Sequence, residues 1–205
     1  VRADRAMVAQ AKARDRGEAK PALQRLDWVL AGFEALTQGG AEAVRVEPVA
    51  RALGATKGSF YWHFRDLRAL HQAMLEAWEG LAATEITAAV RASDLPAREQ
   101  LFLLVDRVSR IPEAEAQGRA LEPALRDWGR VDPLARAVLC RVDRKRLADL
   151  ADFLACAGLM PDKAEEGAAL FYGAMIGLAA LRDTAGTPMR PALQAVAEGI
   201  LGMRA

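Results

Sequence analysis

Apolar residues recur along this 205-residue chain at steps of three and four rather than two, the period of a helix with one buried stripe. Leu26, Val29, Leu30, Phe33 and Leu36 mark a first helix that begins near Pro21, and Gln38-Gly39-Gly40 stops it. A short second helix is predicted over about Val46 to Leu53, with Pro48 tolerated in its first turn. Gly54 follows, where a left-handed cap residue belongs. Thr56 can cap a third helix from about Lys57 to Phe64, and Asp66 a fourth that carries Leu67, Leu70, Met74, Leu75, Trp78 and Leu81 towards Arg91. Pro96 opens a fifth, ended near Pro112, and a short sixth surrounds residues 122–128. Asp132-Pro133 is a cap followed by proline at the first helical position, opening a long seventh that closes at Gly158. Pro161 opens an eighth, ended by the run 185–188, and a ninth covers about Arg190 to Met203. No strand-period run competes, so the expected fold is all-α with about nine helices.

Composition narrows this picture only a little. The chain is 52% apolar and 27% charged, as an ordinary globular protein is. Residues 1–78 carry 12 Lys/Arg against 9 Asp/Glu, and residues 79–205 carry 16 against 18, so the basic excess lies at the amino end. Residues 1–21 are polar, mixed in charge and poor in large apolar side chains; they read as a flexible basic arm able to track phosphates. Cys140 and Cys156 fall in apolar helical stretches and are expected as reduced core thiols. No segment has the order of a signal peptide. The longest apolar run, Gly167 to Leu181, is shorter than the ~18 residues of a membrane span. A cytoplasmic protein without a membrane partner is the expectation.

The densest chemistry lies in the third helix. Phe60, Tyr61, Trp62 and Phe64 are four of the chain's twelve aromatics. Phe60 and Phe64, four residues apart, share one inward face, and Val49 and Leu53 present a matching pair on the second helix. Two short helices joined by a glycine turn, each with one apolar pair, describe a helix-turn-helix. Gly58 and Trp62 lie opposite Phe60, flanked by Ser59 and Tyr61, with His63 at the margin. This outward face has no aliphatics and no acids of its own. It suits the major groove, with early residues reaching base edges. Tyr61 and His63 would bond phosphate oxygens, and Lys57 and Arg65 would add charge-assisted contacts. Spacing alone equally allows Tyr61 and Trp62 to pack on a neighbouring helix or to anchor a partner protein.

The run Val49 to Leu75 resembles the DNA-binding region of the tetracycline-repressor (TetR) family of bacterial transcriptional regulators. The resemblance is carried by Ala52-Leu53-Gly54, by Thr56 to Phe64 (TKGSFYWHF) and by Arg65 to Leu70 (RDLRAL). It is close over about Leu26 to Trp78 and extends to the rest of the chain only in helix order. It implies a helix-turn-helix domain over 22–71 and a helical ligand-binding and dimerisation domain over 72–205. It implies base or backbone contacts from Lys57, Gly58, Ser59, Tyr61 and Trp62 and phosphate contacts from Thr56 and His63. Two departures stand out. Arg45 replaces the threonine that usually caps the second helix, so it could keep the phosphate contact but not the cap. Leu67 replaces a frequent lysine, whose role would pass to Arg65 or Arg68. The implied function is a ligand-responsive regulator, a repressor binding a palindromic double-stranded operator as a homodimer.

In the eighth helix Ala169, Gly173, Gly177 and Ala180 form a small-residue stripe, expected at the dimer interface or else buried against the protein's own core. Phe102, Trp128, Phe153, Tyr172 and Met175 are candidates to line an effector cavity, for a largely apolar molecule; otherwise they are plain core. No acid or base in this region stands out as a ligand anchor. The basic run Arg141, Arg144, Lys145 and Arg146 is interleaved with Asp143 and Asp149 and reads as a solvated, ion-paired face. His63 and His71 are two helical turns apart, ~12 Å along an axis, so no metal or other cofactor is expected. The chain has no G-x-S-x-G, no H-E-x-x-H and no phosphate loop, and an enzyme is not expected.

Overall fold

The computed structural model describes residues 23–109 and 116–203, with the backbone alone at 81–89, 91 and 116–119. The expected arm over residues 1–21, the ends of the first and fifth helices near Pro21 and Pro112, and the side chain of Leu81 lie outside these described residues. Within them the chain forms nine α-helices. These are α1 (Arg25–Gly39), α2 (Val46–Ala52), α3 (Lys57–His63), α4 (Leu67–Arg91), α5 (Ala97–Ser109), α6 (Ala116–Val131), α7 (Pro133–Cys156), α8 (Pro161–Ala185) and α9 (Met189–Leu201), with one 3-10 turn at Ala41–Ala43. The chain divides into two compact units that meet in sequence at Met74 and Leu75.

Local signals set most of these boundaries. Thr56 Oγ1 accepts from the Ser59 N–H at 3.2 Å, and Asp66 Oδ1 from Ala69 at 2.8 Å. Asp132 Oδ1 accepts from Leu134 and Ala135 at 2.8 and 2.9 Å, with Pro133 opening α7. Each carboxylate or hydroxyl satisfies a donor that the first turn leaves without an intrahelical partner. Arg45 precedes α2 with no side-chain cap bond. Gly54 after α2 has φ of +61°, a left-handed conformation that a Cβ would strain. It turns the chain sharply from α2 into α3.

The smaller unit packs α1 on α2 and α2 on α3. Its interior is Trp28, Phe33, Leu36, Val49, Phe60, Phe64, Leu70 and Met74, all at most 7% exposed. Trp28, not Leu26, leads the inward stripe of α1; Leu26 is 47% exposed. The Trp28 ring covers Phe60 edge-on, while the side chain of Leu26 two positions earlier points outward. Gly32 lets the Met74 side chain come close: a Cβ there would lie 2.6 Å from its sulfur, which would have to shift.

In the larger unit α5, α7, α8 and α9 surround one core that includes Leu104, Val105, Phe153, Leu154, Phe171, Leu193 and Ile200. Along α7 lies α6, which is sixteen residues long and carries Pro123 inside it. The sixth helix is therefore not short. A proline there removes one backbone hydrogen-bond donor, and Arg126 on the next turn ties α6 to α7 and α8. Cys140 and Cys156 are free and exposed rather than core thiols, because both fall on outward positions of α7. Helix α8 is by length and composition apolar enough to cross a membrane, longer than the apolar run read from the sequence, and 28% of its apolar window is buried.

Candidate nucleic-acid interface

The third helix is held from beneath by rings. Phe60 is fully buried; it meets the Trp28 ring edge-on at 5.4 Å between centroids and stacks on Phe64 at 5.5 Å. The Arg25 guanidinium lies over Phe64 at 4.9 Å from the ring centroid, closing that side with a cation–π contact. His63, half-buried, tilts against Trp28 at 6.2 Å. With these rings fixed, the opposite side of a seven-residue helix has no freedom to turn inward. Tyr61 is 58% exposed and Trp62 89% exposed, while Phe60 beside them is sealed. An exposure of that size on a tryptophan is rare in a chain that has other interior to fill.

Lys57 and Gly58 are exposed and Ser59 half-exposed on the same short helix. The surface is less free of acids than the helix sequence alone implied. Glu47, from the first turn of α2, forms an ion pair with Lys57. The hydrogen bond from Lys57, and then its charge, hold the Glu47 carboxyl below its ordinary value and raise the Lys57 ammonium in return. Arg45 Nη2 donates to Glu42 Oε2 at 2.7 Å, and Arg65 pairs with Asp66 at 3.1 Å. All three cations stay solvent-exposed, and the partners of Arg45 and Arg65 are exposed carboxylates within three residues on the same stretch of chain, which phosphates can displace.

A helix-turn-helix whose second helix offers two aromatics, a lysine and a close-approaching glycine to solvent fits a groove in duplex DNA. Residues 29–74 match the model of the bacterial regulatory proteins of the tetR family. Over those residues the chain carries a TetR-family DNA-binding region. No curated protein matches the chain. Solved structures share the TetR fold over nearly the whole length. A transcriptional regulator from Rhodococcus sp. Rha1 is 20% identical with a TM-score of 0.70, covering 88% of this chain and 95% of its own. A TetR transcriptional regulator from Legionella pneumophila is 14% identical with a TM-score of 0.69, covering 91% and 100%. A protein from Saccharomonospora viridis solved in complex with choline is 18% identical with a TM-score of 0.68, covering 86% and 92%.

The candidates to line an effector cavity separate. Phe153 and Tyr172 are buried in the core of the larger unit, with Phe102 and Met175 partly buried against it, whereas Trp128 is buried outside that cluster. The stripe Ala169, Gly173, Gly177 and Ala180 is exposed along its length, not packed against the protein's own core. A Cβ on Gly173 or Gly177 would meet nothing within 4 Å.

One constellation escaped the sequence reading altogether. The Tyr172 hydroxyl donates to Asp143 Oδ1 at 2.7 Å and accepts from Arg126 Nη2 at 2.8 Å and Arg146 Nη1 at 2.9 Å. Both guanidinium groups also donate to Glu122 Oε1 at 2.8 Å, and Arg126 reaches both Asp143 oxygens at 3.1 and 2.9 Å. Burial pushes the Asp143 carboxyl up, but bonds from Arg126 and Tyr172 outweigh it and hold it below its ordinary value. The same burial lifts the Tyr172 hydroxyl to about 12. Arg146 and Asp143 thus do not belong to a solvated face; Lys145 does pair with Asp149, and Arg141 pairs with Glu79 of α4, each exposed cation meeting a partly buried carboxylate. The only signal in the sequence was a buried tyrosine hydroxyl's need for partners.

Proposed function

We propose that this regulator is a repressor that binds a palindromic operator as a homodimer in the cytoplasm, where bacterial DNA lies, and is released by a small molecule. The observation that carries the reading is Trp62 at 89% exposure one residue beyond Tyr61 and two beyond a fully buried Phe60. In the groove Lys57, Gly58, Ser59, Tyr61 and Trp62 would face bases and backbone, and Arg45, Thr56, His63 and Arg65 would bond phosphates. One seven-residue helix reads few base pairs, so specificity calls for two half-sites and a two-fold dimer. The exposed stripe on α8, flanked by Leu170 and Leu181 at 56% and 49% exposure, supports pairing there: small residues let helix backbones approach.

The effector would bind in the larger unit. Phe102, Phe153, Tyr172 and Met175 around the core, with Trp128 on α6, suit a largely apolar molecule. The choline complex of the Saccharomonospora viridis protein supports a small-molecule site on this fold. Helix α4 runs unbroken from Leu67 to Arg91 and is the natural lever. Release requires different effector affinity for the two conformations, and tight binding alone shifts nothing.

Salt dependence of duplex binding tests the reading, because displaced counterions make phosphate-driven affinity fall steeply with salt. Tyr61→Ala or Lys57→Ala should abolish operator binding while dimerisation and helicity persist. Undiminished DNA binding in both variants overturns the groove assignment. Salt-insensitive binding to a protein instead would assign the Tyr61/Trp62 face to protein interaction.

A further inference from the structure

We infer that Glu47 is a specificity-determining residue of the DNA interface, acting through Lys57 so that the two together read a G·C pair; the inference rests on α3 entering the major groove. Glu47 and Lys57 join the two helices of the helix-turn-helix, and each side chain is 59% exposed. An ion pair this open to water contributes little to stability, so the fold does not account for it. Nor does DNA affinity. A carboxylate beside the recognition helix repels phosphates and takes a lysine out of the set that neutralises them. An acid that weakens sequence-independent binding earns its place only by discriminating between sequences.

The chemistry of the pair matches one base-pair edge. In the major groove guanine presents two acceptors, N7 and O6, and cytosine one donor, its N4 amino group. An ammonium that gives one N–H to a carboxylate keeps two for N7 and O6, while the carboxylate has lone pairs left for N4. Against A·T the second N–H would meet the adenine amino donor. The placement suits this use. Lys57 is the first residue of α3 and lies one turn before Tyr61, on the same side of the helix, and Gly58 beside it adds no side chain to hold the bases away. Held by Glu47, the Lys57 ammonium is directed between the two helices instead of swinging to the nearest phosphate.

The test is selection of bound duplexes from a randomised half-site by the full chain and by Glu47→Ala and Glu47→Gln, with salt titrations on a non-specific duplex. The native chain should enrich a G·C pair that Glu47→Ala no longer enriches. Replacing that pair by A·T should cost the native chain about tenfold in affinity and the variant less than about twofold. The slope of log K against log salt should steepen by about 0.9 for each Lys57 released to a phosphate. In a Lys57→Ala background, read on the non-specific duplex, the Glu47 substitution should leave the salt slope unchanged. Identical selected sequences and identical slopes for the native chain and Glu47→Ala overturn the inference. Tyr61→Ala run in parallel separates the two failures: if it binds operator as the native chain does, the groove reading itself is what fails.

Discussion

Tyr172 and Asp143 are bonded through the tyrosine hydroxyl at 2.7 Å, across 29 residues of sequence, and two arginines converge on the same oxygen. Glu122 and Asp143 balance Arg126 and Arg146, so the cluster is neutral and joins α6, α7 and α8. Removing one oxygen leaves two guanidinium donors and one carboxylate short of a partner. Tyr172→Phe keeps the ring but should lower stability by about 1–3 kcal/mol, read as a fall in urea midpoint. An unchanged midpoint would show that water replaces the hydroxyl at no cost.

The same hydroxyl makes an alkaline prediction. Its folded value, about 12, stands above the ordinary 10.0. The neutral form is therefore favoured by the fold, and its contribution is fully present below pH 10 and lost as pH rises towards 12. Tyrosinate absorbance should show a component titrating near pH 12 that is missing from Tyr172→Phe. If the absorbance difference between the two proteins titrates near pH 10, burial of this hydroxyl is wrong.

Two tryptophans should behave in opposite ways. Trp28 is fully buried against Phe60, and Trp28→Ala should cost about 3–5 kcal/mol and unfold the smaller unit. Trp62→Ala removes a ring that is 89% exposed and should change stability by no more than about 0.5 kcal/mol while weakening operator binding. Thermal melts and a duplex-binding assay on the two variants check both. A large loss of stability in Trp62→Ala would contradict the geometry of α3.

Gly177 has open space where a Cβ would stand. Gly177→Arg should therefore leave the protomer folded, and the lost glycine even favours the helix. A two-fold contact along the α8 stripe would not tolerate it. Sedimentation velocity should find monomers for the variant where the native chain gives dimers; dimers in both would place the interface elsewhere.

Helix α3 and its surroundings were legible because their instructions are local. Thr56 caps three residues ahead, Gly54 turns where only a left-handed residue fits, and Phe60 and Phe64 share a face by counting. The same count placed Tyr61 and Trp62 outside. What counting missed was partners. Glu47 is ten positions from Lys57, and nothing in the outward face of α3 announces an acid on its neighbour. Leu26 fits the apolar stripe of α1 by spacing yet stands exposed, whereas Trp28, which that spacing left out, covers Phe60.

From the sequence alone came the all-helical class, the caps and breaks, the helix-turn-helix and its outward aromatic face, since each rests on residues within a turn or two of one another. Tertiary structure decided the Tyr172 cluster, the length of α6 across Pro123, the exposure of both cysteines and the pairing of Glu47 with Lys57. Those depend on side chains brought together from separate helices, where burial and hydrogen bonding, not periodicity, choose the partner.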